Sequence, residues 1–354
     1  MKEYTQFRGS NPFGSQAKIL FHSEELSDYM NKGTTKGPIF MEINLTSNCN
    51  MRCKWCISEN FEDGNKLDEE KMEDFFMEYA SLGGKAVNFS GGGEPTTHPD
   101  FIALALSARK YDIEIGLMTN GVFPESLIEC IGNNFKWVRF SVDTFDKVKY
   151  KAWKGVDGVD VVVRNIKALK DYPVKVGVNC NVGDEHTIED CSDLIDFVKD
   201  DNARYLQFRP ILPRYFNEEG IKLNKTVWEY LEDMNKVFEF INISNDKLED
   251  MKEGGNMFPY ESCEGHQFCC VLDSNGDITT CMYHPRDDRF VFGNIYEDHL
   301  TDIWSSEKRK EVISFLRDEL DMCKECQVCC KLNEVNKLIQ FVKYPDKDMD
   351  VNFL

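Results

Sequence analysis

The chain has 354 residues, 42% of them hydrophobic and 29% charged, and a formal net charge of −20. That length suits one large core with a smaller satellite, and so strong an acidity argues against a nucleic-acid backbone as partner, because such binding relies on clustered Lys and Arg. No apolar run approaches the roughly 20 residues that cross a bilayer. The start, Met1-Lys2-Glu3-Tyr4, lacks a signal peptide's apolar segment. A cytoplasmic protein with neither a membrane nor a nucleic-acid partner is therefore expected. Its 14 cysteines point to metal or redox chemistry, since disulfide frameworks belong to small secreted domains.

Residues 1–38 form a polar N-terminal extension whose amphipathic piece, Ala17 to Met30, reads as a helix packed on the main core. An apolar run, Ile39 to Leu45, then reads as a strand leading into a polar loop that holds Cys49, Cys53 and Cys56 in the spacing C-x3-C-x2-C. Three thiolates on one short loop suit a metal centre. A [4Fe-4S] cube has four irons, so three cysteines leave one iron open to a substrate. Structural zinc would need a distant fourth ligand.

This motif, with Trp55 as its aromatic residue, resembles that of the radical S-adenosylmethionine (SAM) superfamily. The resemblance implies that SAM chelates the open iron of a [4Fe-4S] cluster. It also implies a one-electron reductant of the flavodoxin or ferredoxin type, and a 5'-deoxyadenosyl radical that abstracts hydrogen from a substrate.

From 39 to 215, apolar runs alternate with helical patterns in the rhythm of parallel βα units. Strands are expected at Ile39–Leu45, Ala86–Ser90, Ile113–Met118, Trp137–Val142, Val174–Val182 and Tyr205–Arg209. Helices are expected at Glu69–Leu82, Phe101–Lys110, Pro124–Ile131, Val161–Leu169 and Ile188–Lys199. This α/β pattern matches the partial (β/α)6 TIM barrel that the resemblance implies, with chemistry at the strands' C-terminal ends.

The motifs fall at those ends. After the second strand, Gly92, Gly93 and Glu94 open a close backbone approach and supply an acceptor, and they resemble the family's segment that binds the SAM amino group. Asn120 ends the third strand as either a turn residue or a SAM contact. Ser141 and Asp143 share a face of the fourth strand, where relatives bind the ribose hydroxyls. Asn179 on the fifth strand is a further SAM or substrate contact. The catalytic group itself is unassigned. Its candidates are Arg209, which could clamp a carboxylate or form a structural ion pair, and Cys180, which also reads as a small buried hydrophobe.

Residues 216–258 read as a helical connector with helical spacing from Trp228 to Ile241, and 259–333 as a second, cysteine-rich domain before a tail at 334–354. Ser274-Asn275-Gly276-Asp277 reads as a hairpin turn between Phe268–Leu272 and Ile278–Met282. Cys263, Gly276 and Cys281, with Cys323-x2-Cys326, resemble the twitch/SPASM extension. That resemblance implies an auxiliary [4Fe-4S] cluster on Cys263, Cys281, Cys323 and Cys326, with zinc as the alternative. Position 332 is Leu where the full SPASM pattern has cysteine, which favours the shorter twitch form. The remaining Cys269, Cys270, Cys329 and Cys330 equal in number the ligands of a second auxiliary cluster.

The cysteine spacing looks most like that of radical SAM dehydrogenases of aminocyclitols. The expected activity is therefore abstraction of a carbinol hydrogen from a small carbohydrate-like substrate, a sugar, sugar nucleotide or cyclitol, giving oxidation, dehydration or epimerisation. A radical SAM peptide maturase is the alternative. The auxiliary domain favours it, and the short extension before residue 39 leaves no room for a winged-helix peptide-recognition domain. An iron-sulfur electron-transfer protein is the third reading, and Gly92-Gly93-Glu94-Pro95 with Ser141 and Asp143 speak against it.

Overall fold

The computed structural model describes residues 16–58, 63–211, 224–243, 258, 260–284, 286–326 and 330–344. Six parallel strands make the barrel wall: β1 (Phe40–Asn44), β2 (Ala86–Ser90), β3 (Glu114–Thr119), β4 (Trp137–Ser141), β5 (Lys175–Val182) and β6 (Tyr205–Pro210). After α1 (Ser23–Lys32), the crossovers carry α2 (Glu69–Ser81), α3 (Phe101–Lys110), α4 (Ile128–Asn134), α5 (Lys147–Lys154), α6 (Val159–Ala168) and α7 (Ile188–Phe197). The fold is the α/β partial barrel that the alternating apolar runs predict. Parallel strands covered by helices are apolar almost throughout, which is why these runs were visible.

Two elements of this half depart from expectation. Helix α5 was not anticipated. Asp146 caps it by accepting from Lys149 N at 2.7 Å, and Gly155 ends it in the left-handed region at φ 77°. The connector helix α8 (Lys225–Val237) stops short of Ile241, because Phe238 turns extended and Ile241–Ile243 forms β7 beside β6. Alternating burial of Ile241 and Ile243 supplies the strand's reason. The rest of the 216–258 connector lies largely outside the described residues.

The C-terminal unit extends the same sheet. β8 (Cys269–Leu272) pairs in parallel with the free edge of β1, placing Cys269 opposite Phe40 and Val271 opposite Glu42. β9 (Asp277–Thr279) and β10 (Val291–Asn294) follow antiparallel, so the strand order is β10-β9-β8-β1-β2-β3-β4-β5-β6-β7. Helices α9 (Leu300–Ser305), α10 (Glu307–Asp318), α11 (Met322–Glu325) and α12 (Asn333–Lys343) complete it. Buried Arg309 lies 3.8 Å from the Trp304 ring and donates to Gln267 Oε1 at 2.6 Å, while Trp304 Nε1 donates to Thr35 O at 3.0 Å. These bonds fasten the unit to the segment that leads into β1.

Inside the barrel, Gly116 and Gly177 make room for aromatic rings. A Cβ at either would come within 2.3 Å of Trp137 or 2.0 Å of Tyr205. The two rings start β4 and β6. Toward the C-terminal ends the inward residues turn polar, with Glu42, Asn88, Arg139 and Gln207 all buried. Arg139 Nη1 donates to Gln207 Oε1 at 2.9 Å across β5. Barrel interiors are ordinarily packed with branched apolar side chains, so this polar layer outlines a ligand chamber.

Candidate active site

The cysteine loop is held from three sides. Buried Met51 anchors it in the main core. From α5, the carbonyls of Lys154 and Trp153 accept from Arg52 N at 2.9 Å and Lys54 N at 2.8 Å. From the glycine loop, Gly93 N donates to Thr46 O and Glu94 N to Asn48 O, both at 2.9 Å. The contact is so close that a Cβ on Gly93 would lie 2.0 Å from Asn48 O, whereas one on Gly92 meets nothing nearer than 3.9 Å. Gly93 joins the loops and Gly92 leaves space for a ligand.

Glu94 is buried, and its carboxylate accepts from Asn120 N at 2.7 Å, Thr119 Oγ1 at 2.6 Å and Thr96 Oγ1 at 2.7 Å. Burial nevertheless raises its pKa above the ordinary carboxylate value. Asn120 has both amide atoms engaged: Nδ2 donates to Asn50 Oδ1 at 2.7 Å, and Oδ1 accepts from Val122 N at 2.9 Å. It holds the cysteine loop in place.

Asp143 is fully buried and ion-paired with Lys154, and its Oδ1 accepts from Asn181 N at 2.8 Å. Its neighbour on the same face, Ser141, is half-buried and faces the chamber. The ribose role expected of Asp143 therefore meets a carboxylate already engaged by a cation. Asn179 donates to Asn181 Oδ1 at 3.3 Å while its own Oδ1 is buried without a partner, as are Ser90 Oγ and Trp55 Nε1. Such orphaned polar atoms, clustered at the mouth of a chamber, fit a polar ligand the size of SAM. Cys180 is fully buried, donates to Asp143 O at 3.6 Å and has its thiol pKa pushed well up by burial, which is the profile of a packed small residue.

Lys154, Trp153, Glu42, Arg139, Gln207 and Lys331 were missed by sequence reasoning. Lys154 is buried beside Cys53. Burial alone would lower its pKa, but Asp143 and the Cys53 thiol more than reverse that, so it stays a cation. The Cys53 thiol is pushed up to about 11 by burial, against the pull of Lys154. Trp55 packs on Trp153 with ring centroids 5.3 Å apart, and Trp153 on His186 at 4.5 Å. A lysine followed by the helix-ending Gly155 was the only signal for Lys154, and nothing in the local pattern ties it to Cys53.

In the C-terminal unit, Cys330 is the common neighbour. Its charge acts on Cys263, Cys269, Cys281 and Cys326, whose thiol pKa values burial raises. One cavity is lined by Cys269, Cys281 and Cys330 together with Glu42 and Lys331. Asn336 Nδ2 donates to Cys263 Sγ at 3.7 Å and Tyr283 N to Cys281 Sγ at 3.3 Å, the kind of donor that stabilises a cluster-bound sulfur. Cys323 is exposed, and its charge acts on Cys326. Cys269 and Cys270 face opposite sides of β8, with Cys270 fully buried in the main apolar core. Strand alternation separates Cys269 from Cys270, which weighs against a second auxiliary cluster on Cys269, Cys270, Cys329 and Cys330. Cys329 lies outside the described residues.

Among the described residues no three His, Cys, Asp or Glu side chains draw together closely enough for a single metal ion. Buried thiols around one cavity, with N–H donors to sulfur, suit the larger iron-sulfur group. Lys331 bridges the two fields, being ion-paired to Glu42 and 4.3 Å from the Phe40 ring. Burial would raise the Glu42 pKa, but Lys331 and Arg139 overcome it and lower it.

A partial barrel with a cysteine loop at its mouth and a second thiol-lined cavity on the same sheet is an arrangement suited to iron-sulfur groups. Residues 43–198 match the radical SAM superfamily and residues 263–330 the SPASM iron-sulfur cluster-binding domain, so the chain carries both domains and their [4Fe-4S] and SAM cofactors.

The chain is similar to a probable GTP 3',8-cyclase of Pyrococcus abyssi, 35% identical over 142 residues, 39% of this chain and 46% of that protein. It spans about half the length of such first-matched curated relatives. A tungsten-containing aldehyde ferredoxin oxidoreductase cofactor-modifying protein of Pyrococcus furiosus is 24% identical over 310 residues, 76% of this chain and 81% of that one. Among solved structures, Streptococcus suis SuiB bound to precursor peptide SuiA aligns with TM-score 0.68 and 18% identity, covering 92% of this chain and 76% of that chain. At that identity the likeness concerns the fold. None of the three is named for a carbohydrate substrate. No helix among the described residues is long and apolar enough to cross a membrane.

Proposed function

We propose that the chain is a radical SAM enzyme that modifies a peptide or polypeptide substrate, using an auxiliary cluster held by four of the thiols gathered around Cys330, namely Cys263, Cys269, Cys281, Cys326 and Cys330 itself. The observation that carries this reading is the joining of the two cysteine fields: Glu42 lines both the barrel chamber and the Cys269–Cys281–Cys330 cavity. An electron-accepting group there would lie beside the substrate. A fold neighbour that holds a precursor peptide offers a peptide as the substrate class to test, beside the sugar or cyclitol that the cysteine spacing favoured.

When bound, the open-iron cluster and SAM supply a 5'-deoxyadenosyl radical on receipt of one electron from an external flavodoxin- or ferredoxin-type reductant. The chain's own residues orient the reactants. Cys49, Cys53 and Cys56 hold the cluster, with Lys154 offsetting thiolate charge at Cys53. Gly92 gives the SAM methionine room, and Gly93 and Glu94 fix that loop to the cysteine loop. Ser141 and Asn179 face the chamber where the nucleoside would lie, and Trp55 walls it. Asp143 positions Lys154 rather than a ligand.

Anaerobically reconstituted protein, given SAM and dithionite, is tested against pooled peptides and against pooled sugars and sugar nucleotides. Faster 5'-deoxyadenosine release with peptides, accompanied by a mass change in a peptide, is expected. Stimulation by the carbohydrate pool alone would overturn the peptide assignment and restore carbinol chemistry.

A further inference from the structure

The chamber's charges do not balance on the side away from the cysteine loop. Arg209, at the C-terminal end of β6, is half-buried and shares a face with Gln207, two residues earlier. Gln207 accepts from Arg139, so Arg209 stands one layer nearer the mouth, above a buried guanidinium whose charge it opposes. Among the described residues the Arg209 side chain makes no hydrogen bond or ion pair. The chamber's acids face other groups than Arg209: Glu42 is shared between Lys331 and Arg139, Asp143 is paired with Lys154, and Glu94 accepts from Thr96, Thr119 and Asn120. Two neighbouring guanidinium groups, one of them buried, in a chain of net charge −20, cost free energy unless an anion joins them.

We infer that Arg209, backed by Arg139, is a carboxylate-binding subsite for the substrate. The inference rests on the radical SAM reading of the chamber and narrows the substrate to one presenting an acidic group, in a peptide an Asp or Glu side chain or a chain terminus. A planar guanidinium fork matches a carboxylate bidentately, which makes the contact selective as well as attractive. The methionine carboxylate of SAM is the other source of such a group. The cysteine and glycine loops follow β1 and β2, five and four strands from β6, so that part of SAM would be held on the opposite side of the barrel.

The test uses reconstituted holoenzyme, with glutarate and its neutral diamide glutaramide as probes in calorimetric titrations. Wild type is expected to bind glutarate and to bind glutaramide at least about tenfold more weakly; Arg209→Gln loses that preference and Arg209→Lys recovers part of it. KM for SAM in dithionite-driven cleavage stays within about twofold in all three. Equal binding of the two probes by wild type, or an unchanged preference in Arg209→Gln, would overturn the inference. A rise of KM for SAM in Arg209→Gln with glutarate binding unchanged would overturn it as well, assigning the arginine to SAM. Random decapeptides carrying one Glu, compared with a matched Gln set, separate this inference from the peptide reading. Retention of the Glu set that is lost in Arg209→Gln supports both. Glutarate binding with neither peptide set retained keeps the subsite and removes the peptide.

Discussion

The two cysteine fields differ in how the chain assembles them. Cys49, Cys53 and Cys56 lie within eight consecutive residues, and the fold's task is to pin that loop through Met51, the carbonyls of Trp153 and Lys154, and Gly93. The C-terminal field gathers Cys263 from a loop, Cys269 from β8, Cys281 after β9 and Cys330 ahead of α12. Local spacing is enough to propose the first set, whereas the second is proposed from the folded arrangement. The pairing of Cys323 with Cys326 is close in sequence, yet the cavity centres on Cys330.

Five substitutions and one titration sharpen that contrast. The largest effect is expected from Cys53→Ala: SAM cleavage falls to background and about four irons are lost, as counted on reconstituted protein. Next, Cys330→Ala removes about four further irons while Cys323→Ala retains them. The reverse order would restore the ligand set read from spacing.

Lys154→Met strands Asp143 as a buried unpaired carboxylate and should lower stability by about 3–5 kcal/mol in anaerobic urea unfolding. Asn120→Ala removes one side-chain hydrogen bond to the cysteine loop and one within its own turn, each worth about 1 kcal/mol, and should raise KM for SAM more than it lowers the unfolding midpoint.

The smallest effect is on pH. Burial, with Arg309 nearby, presses the His266 pKa down to about 3. A base whose folded pKa is depressed takes up protons on unfolding, so stability present above the ordinary value of about 6.5 declines as pH falls toward 3. Thermal midpoints of His266→Gln should fall less steeply across that window than those of wild type.

Most of the barrel was legible because its strands are short, apolar and separated by helical periodicity. Ala86–Ser90 and Phe101–Lys110 form with the boundaries the pattern predicts. Helix α5 escaped notice because its apolar face consists of Tyr150 and Trp153 among lysines. β7 escaped because Ile241 continues the helical spacing begun at Trp228, and only the sheet edge decides its state. At the site, the glycine loop and the cysteines were readable as motifs. Glu42, Arg139 and Gln207 were not, since a buried polar residue inside an apolar run looks like an interruption until neighbouring strands bring its partners. The pairing of Asp143 with Lys154 spans a turn and a helix, and charge alone does not reveal it.

The most direct test of the account is electron paramagnetic resonance of the dithionite-reduced, reconstituted protein with and without SAM, repeated on the Cys49/Cys53/Cys56 triple-alanine variant. Two reduced [4Fe-4S] signals are expected in wild type, only one of them altered by SAM. The triple variant should keep the other signal, unresponsive to SAM. A single signal in wild type, with zinc in the C-terminal unit, would contradict an electron-accepting cluster beside Glu42 and Lys331.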